Sequence, residues 1–338
     1  MPKSNIQPDW LWDLLGCAEV VTDSKEFVAN GVPLTVVGNI PRARSFVSEA
    51  QQQTRDTFGF KWDKRDTFEG GVASYMERWL QEKYGSVEHW VEGLGPNPII
   101  LDAGCGAAMS GLAYFGPVLD RVRYLGADVS TAVDVAAQRF HERKISAGFV
   151  QADLMALPLA DASVDMVFSE GVLHHTDDTR SALAAVSRML KPGGRILFYV
   201  YRRKGPVREF TDDFIREKMQ VMTAEQGWAA LEPLTKFGQV LGQLDIEIEV
   251  PEAINLLDIP AGRFNLQRFF YWHVCKAFYR PEMTLEEMNH INFDWFAPKN
   301  AHRQSTEEVR AWCRELGLLI EHEFIEEAGI TIVARKAD

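Results

Sequence analysis

The chain is short of cysteine, of long apolar runs and of positive charge, and each shortage excludes a class of protein. Its four cysteines (Cys17, Cys105, Cys275 and Cys313) are scattered over 338 residues without a C-x-x-C pair. This spacing excludes a zinc ribbon and predicts reduced thiols. No apolar stretch approaches the roughly 20 residues of a membrane span, and the first residues show no signal-peptide pattern. We therefore expect a cytoplasmic protein without membrane contact.

The charge balance restricts the partners of the protein. A net charge of -12 at pH 7 argues against wide contact with nucleic-acid phosphates, which needs a basic surface. With 46% apolar and 25% charged residues, the composition is that of a soluble globular chain of one large or two smaller domains. These values favour a small-molecule partner over nucleic acid, and they are compatible with a homo-oligomer.

The most informative segment is Leu-Asp-Ala-Gly-Cys-Gly at residues 101–106, where an apolar run ends in a glycine turn. Residues 99–101 supply a predicted strand, Gly104 and Gly106 supply the turn, and a helix is expected to start near Met109. Such a turn directs backbone N–H groups and a helix N-terminus at an anionic or polar ligand. Because many α/β proteins carry one glycine turn, its interpretation depends on the segments C-terminal to it.

Predicted strands and helices alternate after this turn, which indicates a parallel sheet with right-handed crossovers. Asp128 ends the second strand, roughly 20 residues beyond Gly106, the interval that sets an acid against a ribose diol in doubly wound folds. Asp153 ends the third strand. The predicted strands after the turn are 122–127, 148–152, 164–168 and 195–201, and the predicted helices are 131–144 and 179–190.

Four segments resemble, in the correct order, the motifs of the class I S-adenosylmethionine-dependent methyltransferases: 101–106, 125–130, 150–175 and 188–201. The resemblance implies S-adenosylmethionine as the cofactor. It also implies that Asp102, Gly104 and Gly106 line its methionine end, Asp128 its ribose hydroxyls, Asp153 and the Leu154 amide its adenine, and Ser169 and Glu170 its amino-acid moiety. Ala108 departs from the family pattern, which often has a further glycine at this position.

The residues agree with these roles but leave alternatives. A diol is best held by a carboxylate that accepts two hydrogen bonds, and an exocyclic amine needs an acceptor, although an acid at a strand end often caps the next helix instead. A nicotinamide dehydrogenase shares the order of strand, turn, helix and acid. Its third fingerprint glycine would fall at Met109, which disfavours that class.

The chain is expected to form three parts. These are an N-terminal extension (1–56), a Rossmann-like core (57–201 with 305–338) and a helical cap over the acceptor site (202–304). The core is predicted as a doubly wound α/β fold with a seven-stranded, mostly parallel sheet that ends in an antiparallel hairpin. A capping box at 305–308 opens the last helix, and the hairpin strands lie at 318–325 and 330–334. An insertion as long as 202–304 is seldom structureless.

The cap contains the candidate catalytic residues. Methylation of oxygen or nitrogen is favoured, with carbon and sulfur left open, and it requires the acceptor to lose a proton. The candidate bases are His273, Asp294 and His302. His273 lies in a predicted aromatic helix, 264–279, whose apolar side chains at helical spacing are more often core than pocket.

Two features of the sequence leave the charge of the acceptor open. The acidic stretch 245–258 favours a cationic acceptor, and Arg202, Arg203 and Lys204 favour an anionic one, while solvated surfaces explain both equally well.

No metal is predicted, because the adjacent His174 and His175 point apart on one backbone. The alternative function is a regulatory or scaffold protein that binds S-adenosylmethionine without turnover.

Overall fold

A computed structural model describes residues 7–44 and 48–337, and its centre is a ten-stranded sheet. A separate two-stranded hairpin lies in the insertion. The strands are β1 (Glu26–Ala29), β2 (Val32–Val37), β3 (Ile40–Ala43), β4 (Ile99–Ala103), β5 (Arg123–Asp128), β6 (Ala147–Gln151), β7 (Val164–Glu170), β8 (Leu190–Tyr201), β9 (Glu247–Val250), β10 (Gly262–Asn265), β11 (Leu318–Ile325) and β12 (Gly329–Lys336). The order in the large sheet is β1-β2-β3-β6-β5-β4-β7-β8-β12-β11.

The predicted mostly parallel sheet with a C-terminal antiparallel hairpin is confirmed. Strands β6, β5, β4, β7 and β8 are parallel neighbours, and β12 and β11 complete the sheet in antiparallel pairs. Neighbouring residues of β4 point to opposite faces. Leu101 joins an apolar cluster with Val186 of one helical layer, and Ile100 joins a second cluster with Leu80 of the other layer. Helices therefore cover both faces, as a parallel sheet requires.

The seven strands predicted for the core are present as β4 to β8, β11 and β12, and the N-terminal extension adds three more to the sheet. Its strands β1 to β3 form an antiparallel meander, and β3 pairs in parallel with β6 through Arg42 and Gln151. The Arg42 guanidinium donates to the Gln151 side chain and forms an ion pair with Asp134. The extension thus covers the edge of β6, which would otherwise present unpaired backbone groups.

The helices are α1 (Asp9–Leu14), α2 (Glu49–Trp62), α3 (Gly71–Tyr84), α4 (Val87–Val91), α5 (Met109–Phe115), α6 (Ala132–Glu142), α7 (Thr179–Arg188), α8 (Pro206–Met219), α9 (Ala224–Leu244), α10 (Leu266–His273), α11 (Leu285–Phe296) and α12 (Thr306–Glu315). The capping box predicted at the start of α12 is present. Residue 56, the predicted end of the extension, lies inside α2, so no break in the chain marks that boundary. None of the described helices is long and apolar enough to cross a membrane.

Residues 202–304 contain α8 to α11 and the β9–β10 hairpin. The aromatic helix predicted at 264–279 is shorter than expected, since α10 ends at His273 and the next segment is irregular. Side-chain amides take the place of helical hydrogen bonds there: Gln267 donates to the Ala277 carbonyl, and Asn292 accepts from the Phe278 N–H. This irregular segment, 274–280, becomes part of the site.

Candidate active site

In the glycine turn after β4, the backbone lies so close to neighbouring side chains that only glycine fits. Gly104 has φ +86°, and a Cβ added to it would lie 2.2 Å from Cγ1 of Val172. Gly106 has φ +50°, and its Cβ would lie 2.6 Å from Nε1 of Trp62. Ala108 also has a left-handed backbone, at φ 54°. The family glycine that Ala108 replaces would remove this strain, which costs roughly 1–2 kcal/mol in a non-glycine residue.

Asp128, at the end of β5, holds the turn in place. Its Oδ2 accepts from the Gly106 N–H at 2.8 Å, and its Oδ1 accepts from the N–H and the hydroxyl of Ser130 at 2.8 and 2.6 Å. Burial raises the pKa of Asp128, an effect that these hydrogen bonds partly offset. A carboxylate has about four acceptor positions. Three are filled here, so one position on Oδ2 is left for a ligand.

Two further acids occupy the ends of neighbouring strands. Asp153 comes directly after β6 and accepts from the Met155 N–H through Oδ1, while Leu154 beside it is buried. Glu170 ends β7, where Oε1 accepts from the Trp79 indole at 3.1 Å and Oε2 from the Tyr84 hydroxyl at 2.6 Å. Each carboxylate keeps acceptor capacity that these bonds do not use.

One cavity of about 740 Å³ joins these strand ends to the insertion. Gly104, Asp128, Asp153, Leu154 and Glu170 line one end of it. The C-terminal half of α2 contributes Phe58, Lys61 and Trp62 to the lining. Helix α3, the insertion and the end of β8 line most of the rest, and the residues from β8 and the insertion include Tyr199, Tyr201, Lys204, Arg208, Arg268, Tyr271, Lys276, Asp294 and Trp295.

Three of the predicted cofactor residues lie beneath the cavity rather than in its wall. Asp102 is 3% exposed and accepts a hydrogen bond from the Tyr124 hydroxyl, and burial raises its pKa to about 7. Ser169 is fully buried and donates to the Ala103 carbonyl, which joins β7 to β4. Gly106 contributes through its N–H bond to Asp128. In the structure these three residues support the turn and the strands from beneath, and their contact with the cofactor stays a prediction.

Asp294 lines the cavity, but its contacts argue against the predicted role as a base. Its Oδ1 lies 2.5 Å from Nζ of Lys61, and its Oδ2 accepts from the Tyr201 hydroxyl at 3.1 Å. Burial alone would raise the pKa of Asp294, yet Lys61 and other nearby cations hold it well below its usual range. A carboxylate held so strongly in its charged form is a poor proton acceptor.

The other two candidate bases, His273 and His302, are not among the residues that line the cavity. His273 lies at the end of α10, half-buried against the rings of Phe264 and Phe269. The ring of His302 is exposed, with Nε2 3.0 Å from the Thr176 carbonyl. Lys276, in the irregular segment after α10, lines the cavity, whereas His273 is not among its lining residues.

Sequence reasoning missed several residues that the fold brings to the cavity. Lys61 and Lys276 carry no motif, and a single lysine in an aromatic stretch gives no signal of burial. His175 stands out in the sequence only as half of a histidine pair. Its Nδ1 lies 2.6 Å from the Asn300 carbonyl, so Nδ1 carries the proton, and burial lowers the pKa of His175 to about 4. Its Nε2 is enclosed and has no hydrogen-bond partner among the described residues.

The cavity has the chemistry that S-adenosylmethionine requires. The cofactor presents hydrogen-bond donors on its diol and adenine, and it carries positive charge on its ammonium and sulfonium groups. Asp128, Asp153 and Glu170 supply unused acceptor positions and negative charge along one wall. At Gly104 the backbone itself lines the same wall, because glycine has no side chain. These residues fit the cofactor and would hold it.

The ionisation of Glu170 should make cofactor binding depend on pH. Burial raises the pKa of Glu170 to about 7, although Tyr84 and Trp79 partly offset this. Its charge is present above that pKa and is lost below it, so the attraction for a cationic ligand weakens as pH falls. Between pH 8 and pH 6 the ionised fraction drops from about nine-tenths to about one-tenth, which predicts a loss of S-adenosylmethionine affinity of up to about tenfold.

Calorimetry at the two pH values checks this expectation. Glu170→Gln should bind more weakly at pH 8 and show little change down to pH 6. An unchanged pH dependence in this variant would assign the titration to Asp102, whose pKa is also near 7.

The comparisons with known proteins agree with this geometry. Residues 101–198 match the family described as "Methyltransferase domain". O-methyltransferase rstn1 of Aspergillus nomiae is 38% identical over 100 residues, which are 29% of this chain and 44% of that protein. The malonyl-[acyl-carrier protein] O-methyltransferase of Enterobacter lignolyticus is 36% identical over 102 residues, 29% of this chain and 37% of that protein. The chain thus spans less than half the length of either relative.

Among solved structures, magnesium protoporphyrin IX methyltransferase from Synechocystis PCC 6803, with bound S-adenosylhomocysteine, has 12% identity and a TM-score of 0.45. The alignment covers 85% of this chain and 98% of that one. A TM-score below 0.5 does not establish a shared architecture. The family match is the stronger finding, because residues 101–198 match a methyltransferase domain, whose cofactor is S-adenosylmethionine.

Proposed function

We propose that this protein transfers a methyl group from S-adenosylmethionine to a small-molecule acceptor. The observation that carries the proposal is the cavity that runs from the strand-end carboxylates to the side chains of the insertion. A cavity of about 740 Å³ lies within the usual range for small-molecule sites. It has room for a cofactor at one end and an acceptor at the other.

The parts of the chain have separate roles in this proposal. The core residues Asp128, Asp153, Leu154 and Glu170 hold the cofactor, which supplies an electrophilic methyl group when bound. Residues 202–304 act as a cap over the acceptor, and α2 closes the side of the cavity with Phe58 and Trp62. Alignment of the acceptor and exclusion of water then account for most of the catalysis.

Methylation of oxygen is the favoured reaction. Similar proteins named O-methyltransferases support it, and their names share no finer description of the acceptor. The tyrosine and tryptophan rings of the acceptor end, including Tyr201 and Trp295, are suited to a planar organic acceptor. Proton loss from a hydroxyl can accompany methyl transfer, because an oxygen that has gained a methyl group is strongly acidic.

The alternative is a protein that binds S-adenosylmethionine without turnover. Equilibrium binding does not distinguish the two functions, because both require affinity for the cofactor. The test is production of S-adenosylhomocysteine when the protein is incubated with S-adenosylmethionine and a pool of small organic acceptors. Acceptor-dependent product, together with a methylated metabolite in the mass spectrum, would establish the enzyme. Cofactor binding with no product from any acceptor pool would favour the regulatory role.

A further inference from the structure

The acceptor end of the cavity contains more cations than carboxylates to pair with them. Lys61 pairs with Asp294, and Lys83 pairs with Glu326 at 2.6 Å. Arg208 pairs with Asp212 at 2.7 Å. Within residues 7–44 and 48–337, four further cations of the cavity wall have no carboxylate within 4.0 Å. They are Lys204, Arg268, Lys276 and Arg280.

Lys276 is the most informative of these cations. It is 6% exposed, it lines the cavity, and within the described chain its amine has no hydrogen bond or ion pair. Its Nζ lies 4.9 Å from the ring centre of Trp295. Burial lowers the pKa of Lys276 to about 7, and the Asp294 carboxylate, which forms its ion pair with Lys61, offsets this only partly. An ammonium group is rarely buried unless it is paired.

Arg268 and Arg280 are also cations of the cavity wall that have no carboxylate partner among the described residues. The Arg268 guanidinium lies 4.3 Å from the ring centre of Tyr271, whose backbone carbonyl is bound by Arg208. In this stacked position the N–H donors of the Arg268 guanidinium do not bond to a carboxylate of the described residues. In Arg280 the Nε–H is fully enclosed and has no hydrogen-bond partner in the part of the chain that the structure describes. Lys204 differs, because its amine donates to the carbonyls of Arg202 and Ala328.

This concentration of positive charge is unusual in an acidic protein with a net charge of -12. The acidic stretch 245–258 does not reach the cavity, and of the basic residues 202–204 only Lys204 does. Away from the strand ends, the cavity lining also contains Glu82, which has no cation within 4.0 Å in the described part of the chain, but the unpaired cations Arg268, Lys276 and Arg280 outnumber it. The carboxylates that line the opposite end are those assigned to the cationic cofactor.

We propose that the acceptor carries a carboxylate, and that Lys276 and Arg268 bind this group on the cap side of the cavity while the atom to be methylated faces the cofactor. The proposal rests on the proposed function and names its class of substrate: a planar organic acid. A bound carboxylate supplies the counter-charge that Lys276 lacks, and it accepts from the free donors of the Arg268 guanidinium. The neighbouring rings of Tyr271 and Trp295 contact the apolar body of the acceptor.

The experiment uses the full chain saturated with S-adenosylhomocysteine and three probes of one shape: 4-hydroxybenzoate, 4-hydroxybenzamide and 4-hydroxyphenyl phosphate. Calorimetry measures the affinity of each probe. We expect 4-hydroxybenzoate to bind at least tenfold more tightly than the neutral amide. Lys276→Met and Arg268→Met should each remove most of this preference while leaving the affinity for the amide and for S-adenosylhomocysteine unchanged. Lys236→Met, at an exposed ion pair on α9, is the control for loss of one positive charge.

The outcomes separate this inference from the proposed function. Equal affinity for the benzoate and the amide, or no binding of the benzoate at millimolar concentration, overturns the carboxylate assignment while cofactor binding stands. Tighter binding of the phosphate overturns it in favour of a phosphorylated acceptor. A preference that persists in both variants removes Lys276 and Arg268 from the site. Absence of S-adenosylhomocysteine binding to the unmodified protein would instead contradict the proposed function.

Discussion

Replacing Asp294 with leucine is expected to destabilise the protein by about 3 kcal/mol, the lower end of the range for breaking a buried ion pair. The variant leaves the Lys61 ammonium, whose side chain is 6% exposed, without its carboxylate. Asp294 is 28% exposed towards the cavity, which is why the effect should stay at that lower end. Chemical denaturation at pH 7 measures the change in the free energy of unfolding.

The double variant Lys61→Met with Asp294→Leu is the matched control. It removes both charges together, so it should be more stable than Asp294→Leu alone. If the single variant were as stable as the unmodified protein but inactive, Asp294 would act in catalysis after all. A double variant less stable than the single one would show that Lys61 stabilises the fold through its contact with the Trp62 ring, 4.0 Å away.

Asp128→Ala is expected to weaken binding of S-adenosylmethionine by about 1.5–3 kcal/mol, the value of hydrogen bonds to a charged group. This corresponds to a loss of affinity of about 10- to 150-fold. The physical reason is twofold: the ligand loses the free acceptor position on Oδ2, and the Gly106 N–H loses its partner. Calorimetry on S-adenosylmethionine and S-adenosylhomocysteine checks the expectation.

Ser130→Ala distinguishes the two contributions to this effect. It removes the hydroxyl that donates to Oδ1 at 2.6 Å and leaves the acceptor position on Oδ2 intact. We expect it to keep affinity within about threefold, a difference of roughly 0.7 kcal/mol. Unchanged affinity in Asp128→Ala would remove Asp128 from the cofactor site. Equal losses in both variants would mean that turn rigidity, rather than ligand contact, governs binding.

Much of the core could be predicted because its signals are local. The alternation of apolar strands and amphipathic helices was sufficient for β4 to β8, and the capping box and hairpin pattern were sufficient for α12, β11 and β12. The extension was harder, because short strands such as β1 gain their stability from the edge they join. The three acids at strand ends could be named from the sequence for a similar reason, since the carboxyl ends of parallel strands meet at one edge.

The acceptor end could not be predicted in the same way. His273 and Lys276 are three residues apart in an aromatic stretch that has the pattern of one continuous helix. Whether either reaches the cavity depends on where α10 ends, and that depends on amides from Gln267 and Asn292. Asp294 was predicted as a base from its residue type, and its partner Lys61 could not be foreseen because it lies 233 residues away.

The sequence by itself determined the class of the core, the cofactor that this class uses and the acids at the strand ends, because each depends on the local order of strand, turn and helix. The tertiary structure decided which cations lack a partner and which acids are already paired. Pairing depends on contacts between distant segments, such as that of α2 with α11, and burial makes an unpaired charge costly. Lys276 and Asp294 therefore acquire their opposite roles, one open to a ligand and one committed to Lys61, only when the chain is folded.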